Sequence, residues 1–167
     1  MKKLMLLGAF ALFGAINVNA QAGFKLGANI GLPVGDAGDA NSFVAGIDAS
    51  YLWPVAESFN LGLTTGYSIW FGKDYEIPGY GTVEVDNSGM IPIAATGQYM
   101  FTPEFSLGVD LGYAIFTQEG AEGGFYYAPK AAYHFGPSEV SLSYRGISRD
   151  GASAGSVNLG YAYSFGK

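Results

Sequence analysis

The chain has 167 residues, 26 of them glycine, with 16% aromatic and only 13% charged residues and a formal net charge of −6. A soluble domain carries roughly a quarter charged residues, so this chain has about half the usual means of covering a water-facing surface. The acidic balance excludes a nucleic-acid surface, which needs basic patches. The lack of cysteine excludes disulfides, lipidated thiols and Cys/His metal clusters.

The first twenty residues read as a signal peptide. Lys2 and Lys3 form a basic start, Leu4 to Ile16 an apolar run of thirteen, and Val18–Asn19–Ala20 a small-residue cleavage site. Thirteen residues cannot cross a bilayer core of ~30 Å as a helix. Cleavage before Gln21 is expected, leaving one domain over 21–167. No run of eighteen apolar residues follows, so no transmembrane helix is expected. A closed β-barrel is still open, because it too satisfies every backbone group internally.

From Gly23 onward the pattern has a period of two. In 23–32, Phe24, Leu26, Ala28, Ile30 and Leu32 alternate with Lys25, Gly27, Asn29 and Gly31. The same alternation marks 43–53, 59–71, 90–101, 105–116, 125–135 and 140–147. Each segment sets bulky apolar residues on one face and Gly, Ala, Ser, Thr or Asn on the other, as a half-buried strand does. The eighth segment, Asn158–Phe165, places Leu159, Tyr161, Tyr163 and Phe165 opposite Asn158, Gly160, Ala162 and Ser164.

Strands of ~10 residues suffice to cross an apolar layer at a tilt. Long gaps are expected at 33–42, 72–89, 117–124 and 148–155, and short ones at 54–58, 102–104 and 136–139. Short turns at one end and long loops at the other are the habit of outer-membrane barrels, with both termini at the short-turn, periplasmic end. A soluble barrel with its bulky face inward is the rival. An eight-stranded interior has space for side chains or one small ligand, not for some forty large apolar groups by rough count. Aromatics also collect near strand ends, with Trp53, Phe59, Phe101, Phe105, Phe135 and Phe165 at one end and Phe43, Phe71 and Phe125 at the other. Such girdles mark a lipid interface.

Asn158, Gly160, Tyr163 and Phe165 fall in a polar-x-Gly-x-x-aromatic-x-aromatic spacing. It resembles the C-terminal signal recognised by the outer-membrane barrel assembly machinery, although Gly166 and Lys167 follow the final aromatic. With the signal peptide and the eight alternations, the whole mature chain resembles the small OmpA-like and OmpX-like outer-membrane barrels of the porin-family β-barrel kind. The resemblance implies an eight-stranded antiparallel up-and-down barrel in the outer membrane of a Gram-negative bacterium. It implies no single activity, because fold does not fix function.

Four charges are expected in mid-lumen: Asp48, Asp110, Lys130 and Arg145. Approximate pairing of neighbouring strands sets Asp110 opposite Lys130 and Lys130 opposite Arg145, a layer neutral in sum. It reads either as a gate or relay, or as a structural plug, since buried charges persist when paired. His134 is the only histidine, and it lies near the periplasmic end with Lys25. Barrel enzymes that work on lipid acyl chains place nucleophile and base at the opposite end, so no catalytic site and no cofactor are expected.

The long loops hold nine of the fourteen acids: Asp36, Asp39, Asp74, Glu76, Glu84, Asp86, Glu119, Glu122 and Asp150. Only Lys73 and Arg149 oppose them. Calcium on Asp36 and Asp39 is conceivable, as is simple solvation. Within the longest loop, Tyr75 and Ile77 alternate before Pro78–Gly79–Tyr80–Gly81, and Val83 and Val85 alternate with Glu84 and Asp86 after it. That predicts a hairpin extending the flanking strands, with its tip near Gly79. The expected function is a non-enzymatic barrel with a structural or surface-interaction role. A passive conduit for very small solutes and a lipid-modifying enzyme are the alternatives. Expected partners are outer-membrane lipid, the barrel assembly machinery and an extracellular protein.

Overall fold

The computed structural model describes residues 23–77, 81–84, 86–118, 120–149 and 151–165. The expected signal peptide and the cleavage point before Gln21 lie outside them. Eight long strands form the body: β1 (Gly23–Val34), β2 (Asn41–Ala56), β3 (Phe59–Gly72), β6 (Ser88–Met100), β7 (Phe105–Phe116), β8 (Gly124–Phe135), β9 (Ser138–Arg149) and β10 (Ala152–Phe165). Two short strands, β4 (Asp74–Ile77) and β5 (Gly81–Glu84), lie between β3 and β6, and a short helix, α1 (Asp36–Ala40), between β1 and β2.

The long strands close in the order β1-β10-β9-β8-β7-β6-β3-β2, every pair antiparallel. The fold is therefore an all-β, eight-stranded, up-and-down barrel. The β1–β10 closure pairs Phe24 with Phe165 and Asn29 with Gly160.

Alternation decides which face each residue takes. Thirty large apolar or aromatic side chains among the described residues are exposed, among them Ile30, Ile47, Leu63, Ile93, Tyr113, Leu142 and Leu159. A water-soluble monomer rarely exposes contiguous apolar patches beyond a few hundred Å². This barrel wears such a patch all the way round.

Connections differ from expectation in two places. The gap expected over 148–155 is a turn between Arg149 and Ala152, which pair directly, with Gly151 at φ 84°. Asp-Gly is a favoured dipeptide for two-residue hairpin turns, where glycine takes positive φ without strain. The sequence carries that dipeptide at 150–151, and β9 and β10 run on to meet it. At the other end Phe135 pairs with Ser138, and Gly136 takes φ 59° ahead of Pro137. A glycine first and a residue with φ near −65° second suit a tight hairpin. The expected loop over 33–42 shrinks to Gly35 and α1 between β1 and β2, and Ala37 of α1 is buried against the strands.

The expected hairpin is present as a separate two-stranded sheet, pairing Asp74 with Glu84 and Tyr75 with Val83. It does not continue the ladder of β3 and β6, which is a correction to the sequence expectation. Lys73 N–H donates instead to Ala40 O at 3.0 Å, and Gly72 N–H to Asn87 Oδ1 at 3.1 Å. Lys73 is thereby tied to α1. The expected tip at Gly79, together with Pro78, Tyr80 and Val85, lies outside the described residues.

Candidate functional site

Inward-facing residues sort into layers along the barrel axis. Nearest the short turns is a polar chain that crosses six strands. Asn60 Nδ2 donates to Gln98 Oε1 (3.3 Å), and Gln98 Nε2 to Ser106 Oγ (3.0 Å). Ser106 Oγ lies 2.7 Å from His134 Nε2, and His134 Nδ1 is 3.5 Å from Glu139 Oε2. Lys25 Nζ completes the chain on Glu139 Oε2 at 2.5 Å. A neutral His134 protonated on Nδ1 satisfies this network, with the Ser106 hydroxyl donating to Nε2.

Ser106, His134 and Glu139 are connected in the order of a hydrolase triad, but this is not a catalytic arrangement. Ser106 is only 3% exposed, and its oxygen already accepts from Gln98. Glu139 is engaged by the Lys25 ammonium, and neither Ser106 nor His134 lines the lumen cavity. A nucleophile needs room for the atom it attacks.

The second layer holds the four expected charges. Arg145 Nη1 and Nη2 donate to Asp48 Oδ1 (3.2 Å) and Oδ2 (2.7 Å), a bidentate pair, and Asn29 Nδ2 adds a bond to Oδ2 at 2.8 Å. Asp110 Oδ1 accepts from Thr96 at 2.8 Å. Thr96 has one hydroxyl proton, so the 2.6 Å contact with Thr64 is donated by Thr64. Lys130 Nζ stands 3.9 Å from Asp110 Oδ2.

The expected adjacency of Lys130 and Arg145 is corrected. The tight turn pairing Phe135 with Ser138 sets Lys130 opposite Ser143, while Asp110 lies opposite Ala128. Arg145 reaches across the lumen to β2 instead. The sequence reasoning missed Glu139, because it began that strand at Val140. Alternation with Ser141, Ser143 and Arg145 would have placed Glu139 inward. With Lys25–Glu139 included there are three lumen ion pairs among the described residues, neutral in sum.

A cavity of about 40 Å³ lies between these two layers. Lys25, Ser50, Asp110, Lys130, Ser141 and Arg145 are among the residues that line it.

The third layer, toward the long loops, is apolar, and the expectation of a uniformly small and polar lumen did not foresee it. Val44, Trp70, Met90, Ala94, Ala114, Tyr126, Ala128 and Ile147 form one buried cluster, and Ala37 of α1 packs onto it. Asn158 lies beside this layer, with Nδ2 donating to Ser156 O (3.0 Å) and Oγ (2.8 Å). Its side chain occupies the space over Gly31, where a Cβ would come within 2.1 Å of Asn158 Oδ1. Gly160 is also inward-facing, whereas Tyr163 and Phe165 point out, their rings 4.9 Å apart.

At the long-loop end, Asp36 and Asp39 sit in the first turn of α1. Lys73 Nζ donates to Gly38 O at 2.5 Å, and Glu122 pairs with Arg149. Asp86 is exposed, and Tyr75, Glu76 and Glu84 belong to β4 and β5. Glu119 and Asp150 lie outside the described residues. No group of three or more His, Cys, Asp or Glu residues placed to hold a metal occurs among the described residues.

Comparison with known proteins identifies the fold. A designed transmembrane β-barrel superposes with a TM-score of 0.55 at 12% identity, over 88% of this chain and 98% of that one. Ail, the attachment invasion locus protein of Yersinia pestis, in complex with the heparin analogue sucrose octasulfate, gives 0.53 at 15% identity, over 89% and 100%. The N-terminal β-barrel domain of Pseudomonas aeruginosa OprF gives 0.50 at 15%, over 88% and 100%. The chain has the fold of the small eight-stranded outer-membrane barrels. No protein-family model matches the sequence, and no curated protein does.

Proposed function

We propose that the mature chain is an integral outer-membrane barrel, exported by its signal peptide and inserted by the barrel assembly machinery. Its role is structural or surface-interacting and not enzymatic, with the lumen plugged by side chains. The observation that carries this reading is the inverted surface: large apolar side chains face out all round, while the lumen charges are paired. Lipid is the solvent such a surface fits. Folded protein in detergent should migrate faster on a gel unheated than boiled, and planar bilayers containing it should show no steady conductance. Identical migration would remove the barrel insertion. Steady conductance would favour the passive conduit.

For assembly, Asn158, Gly160, Tyr163 and Phe165 supply the recognition strand. Phe165→Ala should lower outer-membrane levels more than Phe125→Ala, although both rings are about half exposed on the outer face. Equal levels would leave Phe165 as an ordinary girdle residue.

For surface interaction, β4 and β5 form a two-stranded hairpin whose outer edges pair with no other strand among the described residues, as an edge that takes a partner strand requires. The acids along this end, Glu76, Glu84 and Asp86 among them, favour a basic protein partner. They disfavour a polyanion of the kind found with Ail. Deleting 75–86 should leave the gel shift intact and abolish surface binding. Loss of folding would show that the hairpin belongs to the barrel's own stability.

A further inference from the structure

The two lumen halves differ in how tightly they are filled. In the charged half, the side chains of Asp48 and Lys130 remain 23% and 21% accessible, and the cavity lies beside them. At ~10–15 Å³ per enclosed water, its 40 Å³ holds about three. One layer further on, Val44, Met90 and Tyr126 are each 1% exposed and Ala114 is 0%.

The register explains why the closure falls there. Val44 pairs with Trp70 across β2 and β3, and Tyr126 with Ile147 across β8 and β9. Those two strand pairs stand on opposite sides of the eight-stranded ring, and their side chains meet in a single cluster. Ala37 of α1 covers the cluster from the long-loop side.

We propose that the lumen is a half-channel. Water enters from the short-turn end and reaches the Asp48–Arg145 pair. The apolar layer of Val44, Trp70, Met90, Tyr126 and Ile147 then stops it, so that this layer and not the ion pairs is the seal. An apolar constriction blocks ions because they cannot shed their hydration there. Paired lumen charges, in contrast, sit beside a cavity with room for about three waters, and their polar atoms can stand in for part of an ion's hydration. The proposal rests on the closed-lumen reading above and adds where the closure lies.

Two experiments test it. In planar bilayers the wild type should be silent, the double variant Trp70→Ala/Tyr126→Ala should conduct small ions, and Asp48→Ala/Arg145→Ala should stay silent. Conductance of the charge-pair variant would overturn the seal, as would silence of an aromatic variant that still shows the unheated gel shift. Steady wild-type conductance would remove the closed-lumen reading itself, so the two failures are distinct.

The second experiment uses milder changes in a chain free of native cysteine. Ser141→Cys lines the cavity, and Ala114→Cys sits in the apolar cluster. Silver ion, which is close to water in size and binds thiolates, should react with the first roughly 100-fold faster, because a sealed site reacts only on local opening. In oriented vesicles it should do so from the short-turn side alone. Equal rates at the two positions, or reaction of Ser141→Cys from the long-loop side only, would overturn the half-channel.

Discussion

The inner and outer halves of the lumen are built on the same eight strands with the same period of two, yet they are filled with different chemistry. Toward the short turns the filling is a hydrogen-bonded chain from Asn60 to Lys25 and the bidentate Asp48–Arg145 pair. Toward the long loops it is Val44, Trp70, Met90, Tyr126 and Ile147, packed into one buried cluster. A small barrel has to fill its interior, and either solution does so. They fail differently. A broken ion pair strands a charge, at a cost set by desolvation, whereas a truncated apolar side chain leaves a cavity, at a cost set by the volume lost.

The largest effect should come from stranding a charge. Arg145→Ala leaves Asp48 with only Asn29 as a close partner, and should cost about 3 kcal/mol, the low end for a buried pair, because the cavity beside Asp48 has room for water. Urea unfolding of the folded barrel measures it. The double change Asp48→Ala/Arg145→Ala should recover part of that loss, since neither charge then remains. Strictly additive losses would mean that the inner half is held by packing like the outer, and the contrast would collapse.

A smaller effect belongs to the apolar half. Ile147→Val removes one methylene from a side chain that is 4% exposed and paired with Tyr126, and should cost about 0.5–1.5 kcal/mol. Its cost should not change with ionic strength, because no charge is involved. A marked salt dependence would show that the cluster communicates with the ion pairs beneath it.

The strands were legible because alternation is local: 105–116 matches β7 at both ends. What crosses the lumen was not legible. The reach of Arg145 to Asp48 joins residues 97 apart in sequence, and it depends on strand stagger and on the closure of β1 with β10. Strand neighbours alone do not determine that. The apolar layer was hidden for another reason. At Ile69–Trp70–Phe71 and Phe125–Tyr126–Tyr127, large residues run consecutively, so the alternation of size vanishes and only position marks Trp70 and Tyr126 as inward. Such runs are themselves a signal, since a large residue at an inward position of a narrow barrel has nowhere to go but across it. The turn at Arg149–Ala152 shows the converse case. The Asp-Gly dipeptide at 150–151 is a hairpin signal in its own right, and strands that extend to meet it leave no long loop there.

The smallest predicted effect separates the two ion pairs of the charged layer from each other. The sequence sets Asp110 opposite Lys130 and Lys130 opposite Arg145, which would join the four charges in one layer. Arg145 instead has its own carboxylate, and Lys130 stands 3.9 Å from Asp110 with a fifth of its side chain accessible. The close partner of Asp110 is the Thr96 hydroxyl at 2.8 Å. Asp110→Asn keeps an acceptor for Thr96, and Lys130→Met keeps the aliphatic stem, so the pair of changes removes charge with little change of shape. A double-mutant cycle on these two should give a coupling of about 0–1 kcal/mol, the range of partly solvated pairs. The matching cycle of Asp48→Asn with Arg145→Met should give a clearly larger one, because a bidentate pair loses two charge-assisted hydrogen bonds at once. Equal couplings would mean that Lys130 closes onto Asp110 in the membrane, making the layer one four-charge network and returning it to contention as the seal.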